Sequence, residues 1–311
     1  MRLVFCGTPQ FAVPTLEGLV EAGHSTTLVV TQPDRPQGRG MEVALSPVKE
    51  AAVRLNIPVT QPEQIKNNEE FRGQLAASRP DAIVVVGYGR IIPQWMIDLP
   101  PHGNLNLHAS LLPKYRGAAP IQWAIASGER ATGVTTMRID AGLDTGDILL
   151  QREVPIPPDD TAETLAPRLA LIGADLMAET LQGLEAGRIR STPQDHTKAT
   201  LAPILKKEDG RIDFHRTADE IYNRLRGFQP WPGAFTSFRG RKLRVCRATP
   251  AESTAGKTPG EISIREGRLF AACGHSTTLE LIEVQVEGKR RMTAADFING
   301  YHPAAGEKLG Q

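Results

Sequence analysis

The chain has 311 residues, 40% of them hydrophobic, and a formal net charge of +1. That length predicts two domains, each able to bury a core, and the composition excludes collagen-like and long disordered chains. The charge is uneven: from Lys207 onward 17 Lys and Arg face 13 Asp and Glu, net +4, which leaves residues 1–206 at −3 and permits the C-terminal part to meet a polyanion.

Arg2–Cys6 reads as an apolar strand, and Gly7-Thr8-Pro9 turns it into a helix over about Val13–Ala22, with Pro14 early and Gly23 as the stop. Thr26–Thr31 is again strand-like. Gln32–Leu45 holds Pro33, Pro36, Gly38 and Gly40 without periodicity and reads as an exposed loop. Ser46 and Pro47 restart a helix to about Leu55. An extended piece near Val59 and a helix over Glu69–Ser78 follow, then a fully buried strand, Asp81–Val86, by its unbroken β-branched run. Strands alternating with helices predict a parallel sheet. Next come a strand ending at His108, a helix over about Ala118–Ser127, extended Thr132–Ile139 and Ile148–Val154, and a long helix to about Glu185 opened by the capping pattern Asp160-x-x-Glu163.

Thr192-Pro193, Thr200 and Pro203 break the pattern, so 189–206 is read as a linker between a domain at 1–188 and another at 207–311. In the second, Thr217-x-x-Glu220 caps a helix to about Arg226. Ala234–Phe238, Lys242–Ala248, Gly260–Ile264, Leu269–Ala272 and Thr278–Val286 then read as short strands between Gly-rich turns. The expected fold class is α/β: a Rossmann-like, mostly parallel sheet domain followed by a small all-β barrel of the OB-like type.

Cys6, Cys246 and Cys273 are odd in number and widely spaced, which points to neither a disulfide framework nor a zinc site. The N-terminus lacks the order of a signal peptide, and no apolar run reaches the roughly 18 residues of a membrane span. A cytoplasmic protein without a membrane partner or metal is expected.

Chemistry is concentrated at Asn106 and His108. Side chains alternate along a strand, so Leu105 and Leu107 point one way and Asn106 and His108 the other. Asn is depleted in strands and a buried amide needs a partner, so two such groups followed at once by a Pro/Gly loop predict a reaction site at a strand end. An amide can hold a developing oxyanion, and an imidazole can move a proton near neutral pH. The acidic, glycine-containing segment Asp140–Asp147 lies between two strand-like runs and offers a carboxylate that would orient the imidazole and raise its pKa. Amide, imidazole and carboxylate together suit acyl transfer to an amine. Ser, Cys and Lys stand in no evident nucleophile motif, so direct transfer without an acyl-enzyme is the more economical route.

The stretch Asn106–Gln122, NLHASLLPKYRGAAPIQ, and the stretch Met137–Leu149, MRIDAGLDTGDIL, resemble the two signatures of the folate-dependent formyltransferases. Thr31–Gly40, Leu205–Phe214 and Phe228–Phe235 resemble the branch of that family that acts on aminoacylated tRNA, so the likeness covers nearly the whole chain. It implies 10-formyltetrahydrofolate as donor and the α-amino group of initiator methionyl-tRNA as acceptor; apart from the resemblance, no protein partner is evident in the sequence and a monomer is expected. It assigns Asn106 to the formyl oxygen, His108 to assisting it and shuttling a proton, and Asp144 to orienting His108 and helping to deprotonate the amine. Folate would bind around Gly87, Tyr88, Arg90, Ile91 and Ile92 and around Ser110, Leu111, Leu112 and Pro113, in keeping with ligand binding beyond the carboxyl ends of parallel strands.

On the tRNA side the resemblance assigns Arg35, Arg39 and Lys49 near the Gln32–Leu45 loop, while in the basic C-terminal part Arg241 and Arg244 are expected, from the clustering of charge, to follow an RNA backbone. Bacterial members of the branch carry a lysine pair just after Gly-Arg-Gly, where this chain has Met41 and Glu42. Three other readings compete: a formyltransferase acting on a small amine such as a sugar nucleotide or glycinamide ribonucleotide, a dinucleotide-dependent dehydrogenase, and a non-catalytic RNA-binding protein. The second is disfavoured because Gly7-Thr8-Pro9-Gln10-Phe11 lacks the second glycine of a dinucleotide fingerprint.

Overall fold

The computed structural model describes residues 1–37, 42–252, 256–304 and 306–311. The chain forms two compact units: Met1–Pro120 with Ala131–Pro155 and Ala166–Pro203, and Ile204–Gln311 with Ile121–Arg130 and Ile156–Leu165.

The first unit is built on strands β1 (Arg2–Gly7), β2 (Ser25–Val30), β3 (Arg35–Gln37), β4 (Glu42–Ala44), β5 (Val59–Thr60), β6 (Ala82–Val86), β7 (Asn104–His108), β8 (Ala131–Arg138) and β9 (Ile148–Pro155). Seven of them form one sheet in the order β5-β2-β1-β6-β7-β8-β9. Pairing is parallel from β5 to β7, and β8 runs antiparallel to both β7 and β9. The chain steps outward from β1 through β2 to β5, then restarts on the other side with β6, so the direction of winding reverses beside β1. β3 and β4 pair as a separate hairpin inside the segment read from sequence as unstructured loop. Pro36 and the absence of alternation hide it.

Unbroken apolar sequence, Leu3–Cys6 in β1 and Ala82–Val86 in β6, is what lets these strands be covered on both faces. Val4, Cys6, Val30, Ile83 and Val85 pack with Phe71, Leu75 and Met96 in one apolar cluster. Helices α1 (Val13–Glu21), α2 (Pro47–Arg54), α3 (Glu69–Ser78), α4 (Gln94–Ile97), α5 (Pro120–Ala126) and α6 (Ala162–Glu185) follow in chain order. Ser46 caps α2 by accepting from the Lys49 amide at 3.1 Å, and Asn68 caps α3 by accepting from Phe71 at 3.0 Å. The cap of α6 lies one residue later than the sequence pattern suggests. Thr161 and Thr164 bond reciprocally, each side chain accepting from the other's amide (2.9 and 3.3 Å), while Asp160 accepts from the Thr164 hydroxyl.

The stretch 189–203, read in sequence as connecting, belongs to the first unit. Thr192 pairs with Ile148, and Arg116 and Leu201 form a bridge.

The second unit holds α7 (Ala218–Gly227) and a six-stranded antiparallel sheet of β10 (Ala234–Phe238), β11 (Arg241–Ala251), β12 (Ile262–Arg265), β13 (Arg268–Ala272), β14 (Thr278–Val286) and β15 (Met292–Thr293), followed by α8 (Ala294–Tyr301). The order is β10-β11-β14-β13-β12, with β15 on β14. Capping boxes open both helices, Thr217 with Glu220 and Thr293 with Asp296, and the second of these helices went unread in the sequence. The tail meets both outer strands: Ile262 donates to Glu307 O at 2.7 Å, Leu309 to Gly260 O at 2.8 Å, and Gly310 to Ser237 O at 2.9 Å. The core gathers Leu243, Val245, Leu269, Leu279, Leu281, Val284 and Phe297, all at most 1% exposed.

The two borrowed segments are packed into this unit. Trp123 meets Phe228 edge-on at 5.3 Å, and the Arg224 guanidinium lies 4.8 Å from the Phe228 ring. The buried Arg226 donates to Asp160 O at 3.0 Å.

Candidate active site

β7 sorts its side chains as a strand must. Leu107 points to α6, where a Cβ on Gly173 would come within 2.6 Å of the leucine Cδ2, so the absence of a side chain at 173 admits it. Asn104, Asn106 and His108 share the other direction. Asn104 donates to the carbonyls of Met96 and Ile97 at 2.8 and 3.1 Å and fixes the end of α4. Asn106 and His108 stand further along, toward the carboxyl end of the strand.

Asp144 arrives from the loop between β8 and β9, in the left-handed region at φ +51°. Its Oδ2 accepts the Gly117 amide at 2.8 Å and lies 3.7 Å from His108 Nδ1; its Oδ1 lies 3.5 Å from Asn106 Nδ2. Amide, imidazole and carboxylate from β7 and a distant loop thus share one place. His108 is 6% exposed and Nε2 contacts the Tyr115 carbonyl at 2.8 Å. A carbonyl can only accept, so Nε2 carries the hydrogen, and Nδ1 is the ring nitrogen turned toward the carboxylate. Asn106 Nδ2 has two hydrogens, and the long contact to Asp144 engages at most one of them.

Gly117 is at φ +120°, and a Cβ there would stand 2.7 Å from Ala202 O, so only glycine brings its amide to the carboxylate. The loop after β7 is fastened by Thr135, whose hydroxyl donates to Ser110 O at 2.6 Å and accepts from the Leu112 amide at 3.2 Å. Gln151 donates to Leu112 O at 2.9 Å.

Residues assigned to folate fall on two neighbouring loops, after β6 and after β7. Gly87 takes φ +57° and is exposed. Tyr88 is 1% exposed and packs in the core, so its side chain belongs to the fold, and burial raises its pKa. Its carbonyl accepts from Gln32 Nε2 at 3.0 Å, while Gln32 Oε1 accepts from Arg90 Nε at 3.1 Å. Ile91 is 91% exposed, Ile92 is buried, and Leu111 lies over Gly133 of β8. Ser110 and Leu112 are buried and Pro113 is half-buried.

Residues assigned to tRNA are spread more widely. Arg35 is in β3, and Arg39 lies outside the described residues. Lys49 is half-buried: its ammonium pairs with Asp34, which pulls the Asp34 carboxyl below the usual range, and donates to Gln61 Oε1 at 2.7 Å. Arg241 and Arg244 are exposed on β11, bonded to the carbonyls of Glu287 (3.0 Å) and Pro230 (2.9 Å), with the guanidinium hydrogens only partly used. Among the described residues no group of three His, Cys, Asp or Glu is placed to hold a metal ion, and no helix is long and apolar enough to cross a membrane.

Sequence reading passed over Gly117, Arg116 and Gln194. The first two sit inside a quoted motif without a role, and the third lies in a passage with no periodicity to draw attention to it.

Residues 1–181 match the family model for formyl transferase, and residues 204–302 match that for the formyl transferase C-terminal domain. A methionyl-tRNA formyltransferase from Koribacter versatilis is 68% identical, with 100% of this chain and 99% of that protein covered. The one from Acidobacterium capsulatum is 63% identical, with both chains covered completely. Among solved structures, an N-formyltransferase from Helicobacter canadensis, in complex with folinic acid and dTDP-3-aminofucose, superposes with a TM-score of 0.64 at 20% identity, covering 90% of this chain and 98% of that one. A glycinamide ribonucleotide transformylase from Symbiobacterium toebii gives 0.51 at 22% identity, covering 62% and 94%. At these identities the solved structures show the shared fold.

Proposed function

The chain belongs to the formyl transferase family, and from that membership we propose that it transfers a formyl group from 10-formyltetrahydrofolate to the α-amino group of methionine on initiator tRNA. Choice of acceptor rests on likeness along the whole chain: three of the methionyl-tRNA formyltransferases it resembles are 56–68% identical from end to end. The single observation that carries the chemistry is the meeting of Asn106, His108 and Asp144 within 3.7 Å.

The donor is a substrate, and the residues on the two loops suit it. Exposed Ile91 and half-buried Leu111 and Pro113 offer apolar surface to a flat heteroaromatic ring, and the polar cluster lies at the end of the strand between those loops. The amine attacks the formyl carbon, a carbon–nitrogen bond forms, and the carbonyl oxygen takes the electron pair. Asn106 donates a hydrogen bond to that oxygen. Asp144, anchored by Gly117, faces the ammonium group and draws off a proton. His108 Nδ1 takes that proton from the carboxylate and passes it to the donor nitrogen as the tetrahedral intermediate collapses. Breaking the bond to the donor nitrogen then releases tetrahydrofolate carrying that proton. Proton transfer contributes about 10²–10⁴-fold, and one oxyanion donor about 2.7–4 kcal/mol.

The test is formyl transfer by the purified protein to methionyl initiator tRNA, a dTDP-amino sugar and glycinamide ribonucleotide in parallel. Transfer to the charged tRNA alone is expected. Transfer to either small amine with none to the tRNA would overturn the acceptor assignment.

A further inference from the structure

Asp144 is fixed at both its carboxylate and its backbone, and the backbone anchor comes from outside its own loop. Gln194 Nε2 donates to Asp144 O at 2.9 Å and to Gly146 O at 2.7 Å. Gln194 Oε1 in turn accepts from Arg116 Nε at 3.1 Å and Nη2 at 2.6 Å. Both side chains are nearly inaccessible, at 6% and 7% exposure. Every polar hydrogen of this amide is spent on the Asp144 loop, and its oxygen is spent on one guanidinium.

We infer that Gln194, held by Arg116, is a positioning residue that sets the place of the Asp144 carboxylate. The inference rests on the reading of Asp144 given above and adds to it a residue from the passage 189–203. Arg116 sits between Tyr115, whose carbonyl fixes His108, and Gly117, whose amide fixes the Asp144 side chain. Three consecutive residues therefore address both proton-carrying groups, two through the backbone and one through Gln194.

Arg116 is itself oriented from the same passage. His196 Nδ1 accepts from its Nη2 at 3.0 Å, and its backbone pairs with Thr200 O (2.8 Å) and the Ala202 amide (2.7 Å). The rest of the loop is held mainly by its own groups, with Asp140 accepting from the Gly142 amide at 3.0 Å and the Thr145 hydroxyl at 2.7 Å, while Ala141, Gly142 and Leu143 are exposed and Asp144 takes a left-handed backbone conformation uncommon outside glycine. Without the two bonds from Gln194 the carboxylate can shift by a fraction of an ångström to an ångström, enough to cost about tenfold to a hundredfold in the reacting step.

Gln194→Glu removes both donated hydrogens and keeps an acceptor for Arg116; Gln194→Met removes the hydrogens without adding charge. We expect kcat for formyl transfer to fall about tenfold to a hundredfold in both, with KM for donor and tRNA changed less than about threefold. In an Asp144→Asn background either change should lower kcat less than about twofold further, since the group being positioned is already gone. Hydrogen exchange on the free protein should quicken at 140–147 and nowhere else in the sheet. Unchanged kcat, an undiminished loss in the Asp144→Asn background, or unchanged exchange in the loop would each overturn the inference. Absence of any transfer by the wild-type protein would instead strike at the functional reading, and the exchange measurement would then decide this proposal alone. Use of two variants keeps the test open if one fails to fold.

Discussion

His108 and Tyr115 are joined by a 2.8 Å bond from the imidazole Nε2 to the peptide carbonyl, and this bond commits the opposite nitrogen to Asp144. Replacing the imidazole removes the proton carrier and leaves the strand intact. His108→Ala should lower turnover by about 10²–10⁴-fold with the tRNA dissociation constant within about twofold of wild type, measured by single-turnover formylation and by filter binding. Wild-type turnover in the variant would move the chemistry elsewhere.

Asn106 is only half-buried, and its change to Ala deletes an oxyanion donor with little loss of packing. A fall of about 10²–10³-fold in kcat, with the thermal midpoint nearly unchanged, is the expected result. Asn106→Asp should be no better, because an ionised carboxylate cannot donate.

Gly117→Ala places a methyl group against Ala202 O in a backbone region open mainly to glycine. The site must strain by about 1–3 kcal/mol or withdraw the amide from Asp144. Thermal melting and kcat should therefore fall together, and a variant with both intact would contradict the geometry.

Lys49 and the β11 arginines should separate in a salt titration of tRNA binding. Lys49→Met breaks the pair with Asp34, which is expected to cost about 1 kcal/mol of stability and leave the salt slope as it was. Arg241→Gln and Arg244→Gln should each flatten the slope of log K against log salt by about 0.7–0.9, the loss of one phosphate contact. A flattened slope in the Lys49 variant alone would reverse these roles.

His24 is buried, and burial, helped by the Met1 amine 3.4 Å from its Nδ1, lowers its pKa; the carboxylate of Glu185 opposes this. The unfolded chain takes up a proton near pH 6.5 that the folded chain refuses until lower pH. Stability from the neutral ring is thus complete above about pH 6.5 and is lost as pH falls through the depressed folded value. Urea midpoints at pH 7.5 and 5.5 should differ more for the wild type than for His24→Asn.

Period-two alternation was enough to place Asn106 and His108 on one side of β7, because a pleated strand leaves no other arrangement. The glycine-containing segment Asp140–Asp147 could be nominated from sequence and Asp144 within it by resemblance, yet the meeting with His108 depends on β8 turning antiparallel to β7, and no local pattern encodes strand direction. Lys49 shows a different limit. A cation beside a basic loop reads as an RNA contact, and only the fold reveals that Asp34 and Gln61 are near enough to bond it as well. Gln194 was illegible for a related reason: proline and threonine around it signal a connection, and neither charge nor periodicity distinguishes an amide that will be buried. The helix Ala294–Tyr301 was legible in principle, since Thr293-x-x-Asp296 has the same capping form as Thr217-x-x-Glu220.

Because Ile121–Arg130 and Ile156–Leu165 belong to the C-terminal unit, the gene offers no single codon at which the two units can be severed. A fragment expressed from residue 204 onward would lack Trp123 against Phe228 and the Asp160 carbonyl for Arg226, leaving a guanidinium and an aromatic ring stranded. Deletion experiments meant to locate RNA recognition would then report a damaged fragment, whereas point substitutions in the intact chain would report recognition itself.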